Sequence, residues 1–477
     1  MDVLFIAAEA WPFAKTGGLG DVAGSLPAAL KARGVNVRVI MPLYSTIAKE
    51  YKSQFKLRDE FKVNLSWRSQ YCGLKEFQHQ GIHYYFIDNE YYFKRDRLYG
   101  YGDDDERFAF FCRAVLKSLR RMDDFRPDIL HCHDWHTALI PFIVRNSYAR
   151  RAFYFPIKTL FTIHNLYYQG RFGGDVFDRV LGWAGHGDWW EQLEYYGDIN
   201  YMKGALLTAD AISTVSPSYA AEIQTEAYGQ GLDGVLRYRS QALSGILNGI
   251  DERFFDPALD PALVSWYTEP AGKAENKAAL QEEMGLPVQA KTPLLCVVSR
   301  LVEPKGIDLL DPILEELLRE EVQLAVLGTG EREYENIFKY YAEHYPDNCA
   351  FCYNYDEDLA HRIYAGADII LIPSRFEPCG LTQMIAMRYG TVPLVRETGG
   401  LKDTVAAYDP ADGSGNGFSF KNYNPAELLD TIRGALAVYR EQPAAWAALA
   451  RQAMDSHFDW ERSAAAYMGL YKKIVFE

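Results

Sequence analysis

From Val3 to about residue 455, short apolar runs alternate with stretches of helical periodicity, and the whole pattern runs through twice. Strands separated by helices cannot pair as hairpins, so such a chain is driven toward parallel sheets wrapped by helices. The first pass reads VLFIAA, the helical stretch DVAGSLPAALKARG ending in Gly34, then VNVRVIMPLY. FKVNLSW and HYYFID interrupt it with a more antiparallel pattern, and ERFAFFCRAVLKSLRRM, an amphipathic helix, leads to the strands PDILHCHDW, KTLFTIHNL and AISTVS. After SGILNGIDERFFDP the pattern restarts with helical KAENKAALQEEMGL and the strands PLLCVVSRL, VQLAVLGTG, NCAFCYNY, DIILIPSR and TVPLVRE. This predicts an α/β fold of two Rossmann-like doubly wound domains, 1–242 and 243–455, facing a deep cleft. The remaining 456–477 reads as one amphipathic helix expected to pack back on the first domain.

Charge narrows the partners. With 50 basic against 64 acidic residues the net charge is −14, so a nucleic-acid duplex lacks the basic footprint it needs. No apolar run reaches the ~18 residues of a membrane-spanning helix. The opening MDVLFIAAEAWPF carries Asp2 where a signal peptide carries Lys or Arg, and seven scattered cysteines suit reduced thiols. A cytoplasmic protein without a membrane partner is expected. Cys349 and Cys352 form a C-x-x-C inside a strand pattern, which favours buried strand cysteines over a redox pair or a zinc site lacking two ligands.

The glycines of KTGGLGDVAG, residues 15–24, follow the first strand and open a helix. Gly18, Gly20 and Ala23 match G-x-G-x-x-G/A, but the second strand ends VIMPLY without the acidic residue that would hold a ribose. A Walker loop fails too, because Lys15 precedes the glycines. What survives is bare backbone N–H groups, a helix N-terminus and a cation converging on one anion, or a tight turn with no ligand. The second half has a matching apparatus. Arg300 and Lys305 lie just past LLCVV, and DIILIPSRFEPCGLTQ runs strand, polar loop, helix, with Glu377 before the N–H groups near Gly380, Leu381 and Thr382.

Taken together, KTGGLGDVAG, HDWHTAL (133–139), TIHNLYYQG (162–170), ILNGID (246–251), SRLVEPKG (299–306) and SRFEPCGLTQ (374–383) resemble glycosyltransferase family 5, the glycogen and starch synthase group, in order and spacing along the whole chain. The absence of a transit-peptide pattern before the first strand favours the bacterial form. The resemblance implies a glycosyltransferase B fold. It also implies an activity: transfer of glucose from ADP-glucose to a glycogen or α-1,4-glucan acceptor with retention, and no metal cofactor. By the same resemblance Lys15 and the Gly17–Gly18 backbone meet the nucleotide's phosphates with Arg300 and Lys305. Leu381 and Thr382 supply backbone donors, and Tyr355 flanks the adenine. Asp134, His164, Asn165, Asn248, Glu377, Cys379 and Gly380 surround the glucose and the reacting centre, and Asp21 lies toward the acceptor.

One departure stands out. Many retaining relatives carry a second Glu eight positions after the first, where this chain has Ile385, so ADP over UDP is not explained by motif. Rival readings are a UDP-glucose-dependent enzyme of the same fold, a nucleotide-linked oxidoreductase, and a glucan-binding protein without catalysis. Two acidic or histidine clusters invite metal. In HCHDWH, His131 and His133 share a strand face and Asp134 points away, leaving no matched third ligand. The triplet Asp103-Asp104-Asp105 has no strand before it and reads as a solvated acidic turn. Paired aromatics such as Tyr167-Tyr168 and Trp189-Trp190 suit sugar rings and sheet packing equally.

Overall fold

A computed structural model describes residues 1–354 and 356–476. The chain divides into two compact units, 1–246 with 460–477, and 247–459. In the first, β1 (Asp2–Ile6) is followed by α1 (Gly18–Ala32) and β2 (Asn36–Pro42). Next come β3 (Lys56–Leu65), β4 (Arg68–His79), β5 (Ile82–Asp88), α2 (Asp104–Ser118), β6 (Ile129–His133) and β7 (Lys158–Ile163). A small antiparallel sheet of β8 (Arg171–Phe172), β9 (Glu194–Tyr195) and β10 (Asp198–Asn200) precedes β11 (Ala211–Thr214) and β12 (Leu243–Gly245). The main sheet has the order β12-β11-β7-β6-β1-β2-β5-β4-β3. β5 pairs in parallel with β2, and β4 pairs antiparallel with both β5 and β3.

The parallel strands are covered on both faces, which is why they read as unbroken apolar runs: Val3 to Ile6 are completely buried. The C-terminal helix begins at Trp460, four residues later than the sequence pattern suggests, because Phe458 and Asp459 are drawn into backbone pairing with Ile250. It packs on α1 and buries Tyr467 and Tyr471 completely.

The second unit contains β13 (Leu294–Val298), α3 (Ile307–Leu318), β14 (Gln323–Leu327), β15 (Cys349–Cys352), β16 (Ile369–Ile372), α4 (Thr382–Arg388), β17 (Val392–Arg396), α5 (Gly399–Thr404) and β18 (Phe418–Phe420). Its sheet is parallel throughout, in the order β15-β14-β13-β16-β17-β18. Leu309, Leu310, Ile313, Leu314 and Leu317 of α3 form one apolar stripe against Leu295, Val297, Leu324 and Val326 of the sheet.

Each sheet reverses its winding once, between β1 and β6 in the first unit and between β13 and β16 in the second. Loops at such a reversal diverge to opposite faces and leave a crevice at the strand ends. The loops there are the ones that carry KTGG and HDWH, and SRLVEPKG and SRFEPCG. Among the described residues no helix is long and apolar enough to cross a membrane. All seven cysteines are free; Cys349 is buried and Cys352 is not.

The acidic triplet departs from the solvated turn expected of it. Asp104 and Asp105 are buried in the first turn of α2, where Asp104 pairs with the fully buried Arg107 and Asp105 with Arg179 at 2.9 Å. A helix N-terminus and two guanidinium groups offset the loss of water.

Candidate functional site

In the first unit the loop after β1 is pinned from within. Glu9, only 3% exposed, accepts hydrogen bonds from the Thr16 N–H at 2.5 Å and the Thr16 hydroxyl at 2.9 Å. Burial pushes the Glu9 carboxyl up to about 7; the Thr16 hydrogen bonds oppose this, Asp21 adds to it and Lys15 subtracts. Lys15 Nζ lies 2.6 Å from Asp21, each side chain about one-third exposed. Helix α1 starts at Gly18, earlier than the DVAG of the sequence pattern, with Gly17 as its N-cap and no side chain capping it. A Cβ on Gly17 would meet nothing and its φ of −166° suits any residue, so the chain itself does not demand glycine there. What glycine leaves is uncovered N–H groups at the positive end of a helix beside a lysine.

Strand register brings the next loops together. His133 pairs with Thr162, and the Asp134 N–H donates to the Thr162 carbonyl, so residues 134 and 164 emerge side by side. Asp134 lies past the end of β6 with φ 55°, a left-handed turn that replaces strand alternation and turns its carboxylate onto the neighbouring loop. That carboxylate accepts the His164 N–H at 2.7 Å and the Asn165 N–H at 3.4 Å. Burial raises it to about 7, against those two hydrogen bonds and helped by the charge of Glu9. The His164 ring is neutral, lowered to about 3 by burial, and its Nε2 lies 2.9 Å from His133 Nδ1. His131 spends both nitrogens, on Tyr471 at 2.7 Å and Thr162 at 2.6 Å. Among the described residues no group of three or more His, Cys, Asp or Glu is placed to hold a metal.

In the second unit the loops after β13 and β16 are pressed together. Gly306, with φ 74°, is where they touch: a Cβ there would sit 2.1 Å from the Pro373 carbonyl. Lys305, on the turn Glu303–Lys305, lies 2.6 Å from Glu377, and the Ser374 hydroxyl donates to the same carboxylate oxygen at 3.0 Å. Glu377 is 9% exposed. Arg300 is exposed just beyond β13 and makes no ion pair among the described residues. Burial pushes the Cys379 thiol up to about 12, with the Asn248 backbone as a smaller opposing influence. The Asn248 amide oxygen is buried without a partner. Gly380 turns the chain with φ 71° into α4, whose first residues are Leu381 as cap and Thr382.

The structure therefore joins Lys15 with Asp21, and Asp134 with His164 and Asn165, in the first unit. In the second it joins Lys305 with Glu377, and Asn248 with Cys379. Tyr355 lies outside the described residues. Four features gained no role at the site from the sequence: Glu9, His133, which was weighed only as a metal ligand, Ser374 and the pair Gly399–Gly400. Gly399 and Gly400 repeat the glycines of TGGL (16–19) at a position that is not equivalent in the sheet, and Cβ atoms on them would lie 2.0 Å from the carbonyls of Glu377 and Cys379, so α5 backs the Glu377 loop by backbone contact. Glu9 had a signal, a single acid at the end of an apolar strand. A cation, a carboxylate and an unpartnered amide at one sheet edge suit an anionic, hydroxyl-rich ligand.

Residues 2–238 match the family model of the starch synthase catalytic domain, and residues 282–453 that of the group 1 glycosyl transferases. The chain is 51% identical over 476 residues to a glycogen synthase of Desulfitobacterium hafniense, covering 100% of both chains. It is 50% identical over 477 residues to a glycogen synthase of Geobacillus stearothermophilus, covering 100% of this chain and 98% of the relative. Among solved structures, the catalytic domain of starch synthase IV from Arabidopsis thaliana bound to ADP and acarbose superposes with a TM-score of 0.88 at 34% identity, covering 100% of this chain and 99% of that one. A sucrose-phosphate synthase from Thermosynechococcus elongatus, at TM-score 0.63 and 19% identity over 99% and 98% of the two chains, shares the fold.

Proposed function

The chain belongs to the glycogen and starch synthase family, has the glycosyltransferase B type of fold and is a hexosyltransferase, and from that premise we propose that it transfers glucose from ADP-glucose to the non-reducing end of glycogen or another α-1,4-glucan, with retention at the anomeric carbon and without a metal. Family membership removes the oxidoreductase reading. The observation that carries the proposal is Lys305, held at 2.6 Å from Glu377 beside Ser374 where the second sheet reverses.

In this reading Arg300 and Lys305 of the second unit, with the N–H groups of Leu381 and Thr382, hold the leaving diphosphate, and Lys15 and the Gly17–Gly18 backbone of the first unit are assigned a phosphate-binding role. Stabilising a growing phosphate charge with fixed cations and N–H dipoles is what a metal achieves elsewhere. The C1–O bond to the diphosphate breaks as the acceptor hydroxyl oxygen bonds to C1 on the same face. The acceptor's proton passes to the departing phosphate oxygen. Glu377 stabilises the oxocarbenium character between the two events. Asp134, His164 and Asn165 of the first unit, and Asn248, Cys379 and Gly380 of the second, are each assigned to glucose contacts, and Asp21 to the acceptor end. The related starch synthase IV domain is bound to ADP, which supports an adenine nucleotide as leaving group.

The test is ADP release from purified protein with ADP-glucose, with and without glycogen, beside UDP-glucose, in the presence of EDTA. Glycogen-dependent release from ADP-glucose is expected. A preference for UDP-glucose would keep the chemistry and overturn the donor; loss of activity in EDTA would overturn the metal-free mechanism.

A further inference from the structure

His133 lies in β6, completely buried, with its ring against Phe5 and His131 at centroid distances of 3.9 and 4.0 Å. Its Nδ1 is 2.9 Å from His164 Nε2, and its Nε2 is buried with no hydrogen-bond partner. Both rings are neutral, because burial holds each below the usual histidine range. One proton therefore sits between the two nitrogens, and its owner decides the tautomer of both rings.

Two arrangements exist. If His164 Nε2 donated, His133 would carry its own proton on Nε2, an N–H donor with no acceptor inside the protein. If His133 Nδ1 donates, the unpartnered atom is a bare lone pair, and orphaned buried donors are the rarer and costlier kind. We infer that His133 donates through Nδ1 and thereby fixes His164 as its Nδ1–H tautomer, making His133 a positioning residue. His164 Nδ1 makes no hydrogen bond among the described residues. That nitrogen is then a hydrogen-bond donor, and it selects an oxygen acceptor on the substrate rather than a hydroxyl proton. The Asp134 carboxylate anchors the same loop through its N–H groups, so the ring is oriented from two sides. The catalytic consequence rests on the reading of His164 as a substrate-side group; the tautomer does not.

Nitrogen-15 histidine NMR on the substrate-free full chain tests it, with the His164 signals identified by their loss in His164→Gln. A protonated Nδ1 and bare Nε2 on His164 are expected, and the reverse would overturn the inference. His133→Asn, whose amide nitrogen can take the place of Nδ1, should keep that signature and stay within about threefold of the original turnover. His133→Leu should lose the signature and about tenfold in kcat/KM for the nucleotide sugar, the worth of one hydrogen bond. If His133→Leu does not fold, the unaltered protein and His133→Asn still decide. Retention of the Nδ1–H signature in a folded His133→Leu would overturn the role given to His133. The expected tautomer in a protein that releases no ADP would leave the inference standing and sink the proposed function.

Discussion

Asp134 has φ 55° and ψ 178°, a combination that is essentially reserved for glycine. Its carboxylate holds the His164 and Asn165 N–H groups, which is why a residue with a side chain sits there at all. Replacing it by Ala removes the carboxylate and keeps the strained Cβ, whereas Gly removes both. The difference between the two variants therefore isolates the strain. A non-glycine residue in this region costs about 1–3 kcal/mol, and glycine's greater freedom in the unfolded chain returns about 0.5–1 kcal/mol of that. Asp134→Gly should then be more stable than Asp134→Ala by about 0.5–2 kcal/mol, the reverse of the usual order of the two residues. For a unit of this size that corresponds to a melting temperature about 1–6 °C higher. Near-ultraviolet circular dichroism on heating, at one pH and one scan rate, reads the difference. Both variants should lose at least tenfold in turnover, since the His164 loop loses its anchor. An Ala variant that melts at or above the Gly variant would refute the strain argument.

Lys305→Ala should cut turnover far more than it weakens glucan binding, because the lysine is assigned to the leaving diphosphate; equal losses in kcat and in glucan affinity, measured on the same preparation, would sink that assignment. The buried carboxyls of Glu9 and Asp134, both raised to about 7, keep their protons in the folded state while the unfolded chain releases them. These groups therefore lower stability as pH rises from about 4 to about 7 and change nothing further above that, so Glu9→Gln should flatten the decline of melting temperature across that window. Gly399→Ala would set a Cβ 2.0 Å from the Glu377 carbonyl at φ 46° and should lose both stability and turnover. Gly17→Ala, with open space around it, should leave the melting temperature within about 1 °C and raise KM for the nucleotide sugar; a fully unchanged KM would free that loop of any phosphate role.

What could be read in the sequence follows from the range of the interactions involved. Doubly wound sheets are written locally, in apolar runs bounded by polar loops, and every strand of the second unit's parallel core was legible except the three-residue edge strand Phe418–Phe420, which is too short to carry a pattern. The cations Arg300 and Lys305 and the acid Glu377 were legible because each sits at a strand end, where an open α/β sheet places its ligands. The burial of Asp105 was not, since its partner Arg179 is remote along the chain. The same holds for His133, whose partner His164 comes from the loop just past the next strand, and for Gly399–Gly400. Those two glycines carry no local signal: they follow a late strand, they open a helix of only six residues, and their resemblance to residues 16–19 is accidental by position. Their reason appears only when β17 is laid beside β16, which brings the backbone of one loop within 2.0 Å of where a side chain would begin on the other. A site built at the reversal of a parallel sheet is made of loops far apart in sequence and adjacent in register. Its charged members announce themselves singly, and the glycines that let those members approach do so only in the fold.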